Sequence, residues 1–334
     1  MTDAAQATGD DFAPTFAPDE LDDLARLPTQ RMQPLVSEGH TNPALALDLE
    51  VEATWRTFCG IVENWAHLTT EYLRERTGSA IGGKPTRLEH VALLVARRRL
   101  DAERLRDAVE MLTAAEHPLR EQFGAELRSG ELQAAAASWQ RIAVCMADAV
   151  ALRCDQVNHV LGAIHAWGGD HELEAAMRFA ADKGFWSEAV PSQAGMDAAT
   201  RLRTTARFLT DGPGVALRIT EERDRFVLEQ RSCPCGRQVH EASAYGWPLP
   251  RVPGPSPITY GRHEMTPYQV HFAVIHGQWA IDRTGSPAPA FDCLGTDVVS
   301  ARCRSYVYKD GHDVPARFFE ALGRSRPDRE PTPR

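Results

Sequence analysis

The chain has 334 residues, of which 43% are hydrophobic and 25% charged, the make-up of a folded globular protein long enough for two modest domains. A formal charge of −9, with no basic cluster interleaved with aromatics, argues against nucleic acid as a partner. No stretch approaches the roughly 20 apolar residues of a membrane span, and the opening residues MTDAAQATGDDFAP lack the basic and apolar regions of a secretion signal, so a cytoplasmic protein with no membrane partner is expected.

Residues 1–45 carry many Asp, Thr and Pro without a sustained period. They read as a mobile arm with one short helix at Pro18–Leu27. From Asp48 onward, Trp55, Phe58, Val62, Trp65, Thr69 and Tyr72 recur at three- and four-residue steps, one apolar face of a helix. Gly78, Gly82, Gly83 and Pro85 end it. A second helix is predicted from Thr86 to Ala115, with Leu88, Val91, Val95, Leu105, Val109 and Leu112 inward and Pro118 as the next break. The longest helix should run from after Gly130 to Gly168-Gly169 on a stripe of Leu132, Trp139, Ile142, Met146, Val150, Val157, Leu161 and Ile164. Asp170 is a candidate N-cap for Glu172–Ala181, and a helix over Met196–Leu209 closes a bundle spanning 46–210. Its three large indoles, Trp55, Trp65 and Trp139, suggest more apolar surface than one bundle can hold, and hence a homodimer.

The pattern changes at Asp211-Gly212-Pro213-Gly214. Val215–Thr220 and Arg225–Gln230 read as a hairpin, five prolines between Pro248 and Pro257 forbid regular structure, and Thr266-Pro267 announces a helix with Tyr268, Phe272, Ile275 and Trp279 on one stripe. Ala290–Leu294 and Arg302–Lys309 are strand-like, and Pro315–Leu322 is a short helix. The fold class is therefore α+β: a helical bundle followed by a small mixed α/β domain over 211–323, with a frayed tail at 324–334.

Four of the seven cysteines fall in the last third, beside His240, His263, His271 and His276. An odd number of cysteines with no export signal favours reduced thiols or metal ligands over a disulfide framework. Cys233-Pro234-Cys235 is a C-x-C pair with no second knuckle. Cys235, Cys303 and His271, with Cys233 or water as the fourth ligand, could surround a zinc ion; without metal, Cys235 would be a nucleophile with His271 as its base. On an α-helix His271 and His276 would point about 140° apart and could not share one ligand. In the bundle, the pairs Glu63/His67 and Asp155/His159 each share a helical face but lack the further ligands of a di-metal site, so solvated or capping pairs are expected. Tyr268, Trp279 and Tyr306 belong to an aromatic set that could line a substrate pocket.

The order of elements over 213–309 is a hairpin, a Cys-bearing loop, a helix over Tyr268–Ile281, a strand ending in Asp292-Cys293, and Cys303-Arg304-Ser305-Tyr306-Val307-Tyr308. It resembles the 4-vinyl-reductase type of domain and the related aminothiazoline-carboxylate hydrolase-like group. That resemblance covers under a third of the chain. It implies a small α/β fold around a cavity for an apolar or aromatic small molecule, with thiol positions matched at Cys235, Cys293 and Cys303. Gln269 and Phe272 stand on the helix where some similar proteins place cysteines. The expected function is a small-molecule-processing enzyme of bacterial specialised metabolism, hydrolytic and using the Cys/His site; the alternative is a non-catalytic binding or sensory protein of the same fold.

Overall fold

Seven helices precede the first strand in the computed structural model, which describes residues 13–80, 85–232, 250–294 and 302–327. They are α1 (Pro18–Ala25), α2 (Pro28–Ser37), α3 (Thr41–Ala80), α4 (Pro85–Ser129), α5 (Leu132–Lys183), α6 (Trp186–Ala194) and α7 (Ala198–Asp211). The expected stripes of α3 and α5 are largely the buried ones: Trp55, Val62 and Trp65 of α3 meet Trp139, Ile142, Val157, Leu161 and Ile164 of α5 in one apolar core. Of the expected α4 stripe, Leu105 and Val109 are buried, and the side chains of Leu88, Val91 and Val95 lie outside the described residues. Trp55, Trp65 and Trp139 are each only 2% exposed within the single chain.

Two expectations need correction. Much of the 1–45 arm is helical: α1 and α2 each place Pro at the first helical turn and reach back with Glu20 and Gln30 to the Ala17 and Leu27 amides. Phe16, Leu21 and Leu24 are buried against the sheet, and Met32 and Val36 against the bundle. Pro118 does not break α4, because Leu119, Phe123 and Leu127 beyond it stay buried in the same core. In α5, by contrast, Gly169 adopts φ 70° and ψ −160°, so the expected interruption is present as a kink.

The sheet holds β1 (Ala216–Glu221), β2 (Arg225–Ser232), β3 (Ala290–Leu294) and β4 (Arg302–Tyr308) in the order β1-β2-β4-β3, antiparallel throughout. Together with the helices it gives the expected α+β layout. Alternation sorts its side chains. Leu217, Ile219, Phe226, Leu228 and Val307 pack against α1 and α7, while Val227, Tyr306 and Tyr308 pack against Phe318 and Phe319 of the last helix, α9 (Ala316–Glu320).

The helix announced by Thr266-Pro267, α8, is continuous from Pro267–His271 through a π-helical Phe272–Trp279 to Ala280–Thr284. It serves two cores. Tyr268, Val270, Val274, Ile275 and Trp279 join the bundle's core, and Ala273 and Ile281 join the core under Tyr306. Residue 211 is therefore a change of secondary structure within one packed body, and the two expected domains share their interior.

Candidate functional site

The first turn of α8 is seated on the bundle. Thr266 caps it reciprocally with Gln269, and Asn158, wholly buried on α5, accepts a 2.8 Å hydrogen bond from the Tyr268 amide. The Tyr268 hydroxyl is hydrogen-bonded to Cys154, and burial, followed by that neighbour, holds its pKa well above the ordinary value. Tyr268 thus reaches the bundle through backbone and side chain alike.

One turn on, the helix changes pitch. Hydrogen bonding from i to i+5 places residues five apart nearly above one another, where an α-helix would splay them. His271 and His276 are that pair, with ring centroids 5.4 Å apart at an interplanar angle of 66°. The expectation that they diverge fails because it assumed α-helical pitch. His271 Nδ1 bonds the Tyr268 carbonyl oxygen, and His276 Nδ1 bonds that of Ala288 at 2.9 Å. A carbonyl can only accept, so both rings carry their proton on Nδ1 and present Nε2 as a lone-pair acceptor. Neither Nε2 has a hydrogen-bond partner among the described residues. Burial lowers both pKa values; His271, further opposed by His276 beside it, falls to about 3. At neutral pH the pair is uncharged.

Both rings line a cavity of about 190 Å³ between α3, α6, α7 and α8. Its walls are aromatic: Phe58, Trp65, Phe185, Trp186, Phe208 and Phe272. Phe185, 40% exposed, stacks on Phe208 with an interplanar angle of 6°. The other polar groups include Gln230 and Ser305, joined by a 3.3 Å hydrogen bond on adjacent strands. The Trp65 indole N–H is buried without a partner among the described residues, and its ring lies 5.3 Å from that of His271. No carboxylate is among the described residues that line this cavity.

The sequence-predicted residues distribute as follows. Tyr268 and His271 line the cavity together. Trp279 does not; it is buried beside α5 and donates from Nε1 to Asp182 Oδ1 at 2.9 Å. Tyr306 lines a separate, outer cleft with Arg201 and Tyr308. Cys303 is buried on β4, two residues from Ser305 and opposite Gln230, on the same face of the sheet as both. Cys233, Cys235, His240 and the Cys293 side chain lie outside the described residues, so the four-ligand zinc set is only half in view. Among the described residues no cluster of three or more His, Cys, Asp or Glu is arranged to hold a metal. In the bundle, Glu63 pairs with Arg153 and His67 with Glu71 at the surface, whereas Asp155 and His159 are buried, so the two carboxylate–imidazole pairs do not converge. From sequence, Trp65 reads only as core, the α6–α7 aromatics are not assigned to a site, and His276, named in the Cys/His set, is excluded as a partner of His271 by the α-helical angle. The only signal for their pairing is the five-residue spacing.

No protein-family model, no curated protein and no solved structure matches this chain. Among the described residues no helix is long and apolar enough to cross a membrane.

Proposed function

We propose that the protein binds a small aromatic molecule that carries a hydrogen-bond donor, in the cavity between α3, α6, α7 and α8. The observation that carries this reading is the His271–His276 pair: two neutral imidazole acceptors without protein donors at the wall of an aromatic cavity. A hydrogen bond formed among low-dielectric aromatic walls is stronger than one in water, so a ligand that supplies donors gains more there than its apolar surface alone provides. The Trp65 N–H offers the complementary donor. Aromatic walls with a few fixed polar groups are the usual make-up of a small-molecule site.

A binding or sensory protein agrees with the cavity implied by the resemblance to 4-vinyl-reductase-like domains. The hydrolytic alternative, with Cys235 or a zinc-bound water as nucleophile, would need His271 as a base, and a ring whose pKa lies near 3 is a poor one at neutral pH.

The test compares naphthol with its methyl ether by calorimetry on the whole chain. Naphthol should bind about tenfold more tightly, the worth of one hydrogen bond to a buried acceptor. That preference should shrink in His271→Phe and in His276→Phe, and stay constant between pH 8 and 5.5. Equal affinity for the two compounds would refute the role of the histidines, and a preference lost with a midpoint near pH 6.5 would refute their burial.

A further inference from the structure

The aromatic cavity adjoins the outer cleft of about 650 Å³, and Gln193, Thr205 and Pro289 line both. Helix α7 runs along the pair. Phe208 and Leu209 face the inner cavity, Thr205 faces both, and Arg201, one turn earlier, faces the outer cleft. Four residues along an α-helix amount to about 6 Å, the reach of a two- or three-atom side arm on an aromatic ring.

Arg201 is half-buried, and its guanidinium is only partly used. One nitrogen, Nη2, donates to the Tyr308 carbonyl at 2.8 Å, while Nε is buried with no partner. No carboxylate among the described residues is close enough to form an ion pair with it, although Asp197 lies one turn away on the same helix. The neighbouring cation of the cleft, Lys309, is already held by Glu221 at 2.6 Å. Arg326 and Asp310 also line the cleft. A guanidinium with spare donors in a fixed fork is suited to a carboxylate, which it can grip with two parallel hydrogen bonds.

We infer that the ligand is an aromatic acid: its ring occupies the inner cavity beside His271 and His276, and its carboxylate, on a short arm, extends past Thr205 to Arg201. This rests on the inner cavity being a ligand site. It adds the charge of the ligand and the residue that reads it.

The experiment measures binding of two matched pairs by calorimetry, indole against indolepropionate and naphthol against hydroxynaphthylacetate, which keeps the hydroxyl donor. It uses wild-type protein, Arg201→Gln and Arg201→Lys. In wild type each acid should bind about tenfold more tightly than its neutral partner, the scale of a charge-assisted hydrogen bond at a half-buried site. The preference should fall close to unity in Arg201→Gln, with indole and naphthol bound as in wild type, and should be partly kept in Arg201→Lys. In wild type, raising the salt from 0.05 to 0.5 M should erode the acid's advantage and leave the neutral compounds unaffected. This arm holds even if Arg201→Gln folds poorly. Equal affinity within each pair for wild type, or an acid preference that survives Arg201→Gln, overturns the inference and leaves the cavity reading standing. Failure of all four compounds to bind overturns the cavity reading and the inference with it.

Discussion

Acidification should destabilise this protein through His271 before any carboxylate with a lowered pKa begins to titrate. In the folded chain, burial, together with the neighbouring His276, depresses the His271 pKa from 6.5 to about 3. The unfolded chain therefore takes up a proton near pH 6.5 that the folded one refuses. Stability from this group is fully present above pH 6.5 and is lost as the pH falls from 6.5 towards 3. Integrated from pH 8 to pH 5, the loss is about 2 kcal/mol. His276, also depressed by burial, acts in the same direction. Asp48 acts in the opposite one. Its burial outweighs Arg120 and raises its pKa from 3.8 to about 6, so the folded state gains a proton first, and stability rises by about 1 kcal/mol over the same interval. The total curve therefore partly cancels, and the informative quantity is a difference between variants. Urea unfolding of wild type and His271→Gln at pH 8 and pH 5 should show the variant improving relative to wild type by about 2 kcal/mol at the lower pH. A difference that stays constant within about 0.5 kcal/mol would refute the buried, uncharged state of His271, and with it the lone-pair acceptor on which the cavity's chemistry rests.

Two substitutions test how α8 is held. Asn158→Ala leaves the Tyr268 amide buried without its acceptor and should cost about 1–3 kcal/mol in urea unfolding; a loss below about 0.5 kcal/mol would show that the bundle does not cap this helix. Gly162→Ala would set a Cβ 2.4 Å from Pro250 Cγ, so unfolding should show about 1–3 kcal/mol of overpacking, and an unchanged midpoint would mean that the chain at 250 is free to move away from α5.

The long helices were legible because each has enough turns for its stripe to declare itself. Val51, Trp55, Phe58, Val62 and Trp65 are all buried as the three- and four-residue steps require. The hairpin, both late strands and the Thr266-Pro267 helix start were legible for the same reason, each having a local chemical signal. The short helices α1, α7 and α9 were legible from their Pro, cap and apolar signals, but α2 and α6 were not. α6 shows only Trp186 and Val190 as buried residues, too few to establish a period, and Pro191 inside it reads as a break. In α2 the Pro and Gln signals of a helix start were present at Pro28 and Gln30, but they were outweighed by the polar composition around them. Pro118 misled for a different reason. The roughly 3 kcal/mol that a proline costs inside a helix is smaller than what Leu119, Phe123 and Leu127 gain by staying in register with the core. The site was half legible: Tyr268, His271 and His276 could be named, but the pairing of the two histidines could not, since the argument that excluded it was geometrically correct for the wrong helix.

Why that helix is wide follows from what its two ends must do. Upstream, Val270 and Val274 are fixed in the bundle's core, with the Tyr268 amide tied to Asn158. Downstream, Ile281 belongs to the core beneath Tyr306, and Gly277 lies so close to Leu322 that a Cβ would come within 2.7 Å of the leucine side chain. The Gln278 amide also donates to the Leu322 carbonyl at 3.0 Å. A helix of constant α pitch would keep one spiral of faces along its length. Adding a residue to the turn rotates the downstream half relative to the upstream half, which is how one helix can serve two cores whose directions differ. The convergence of His271 and His276 is a consequence of that rotation, fixed by apolar packing on both sides. Their acceptors are therefore positioned before any ligand arrives, and a ligand that supplies donors does not bear the cost of ordering them.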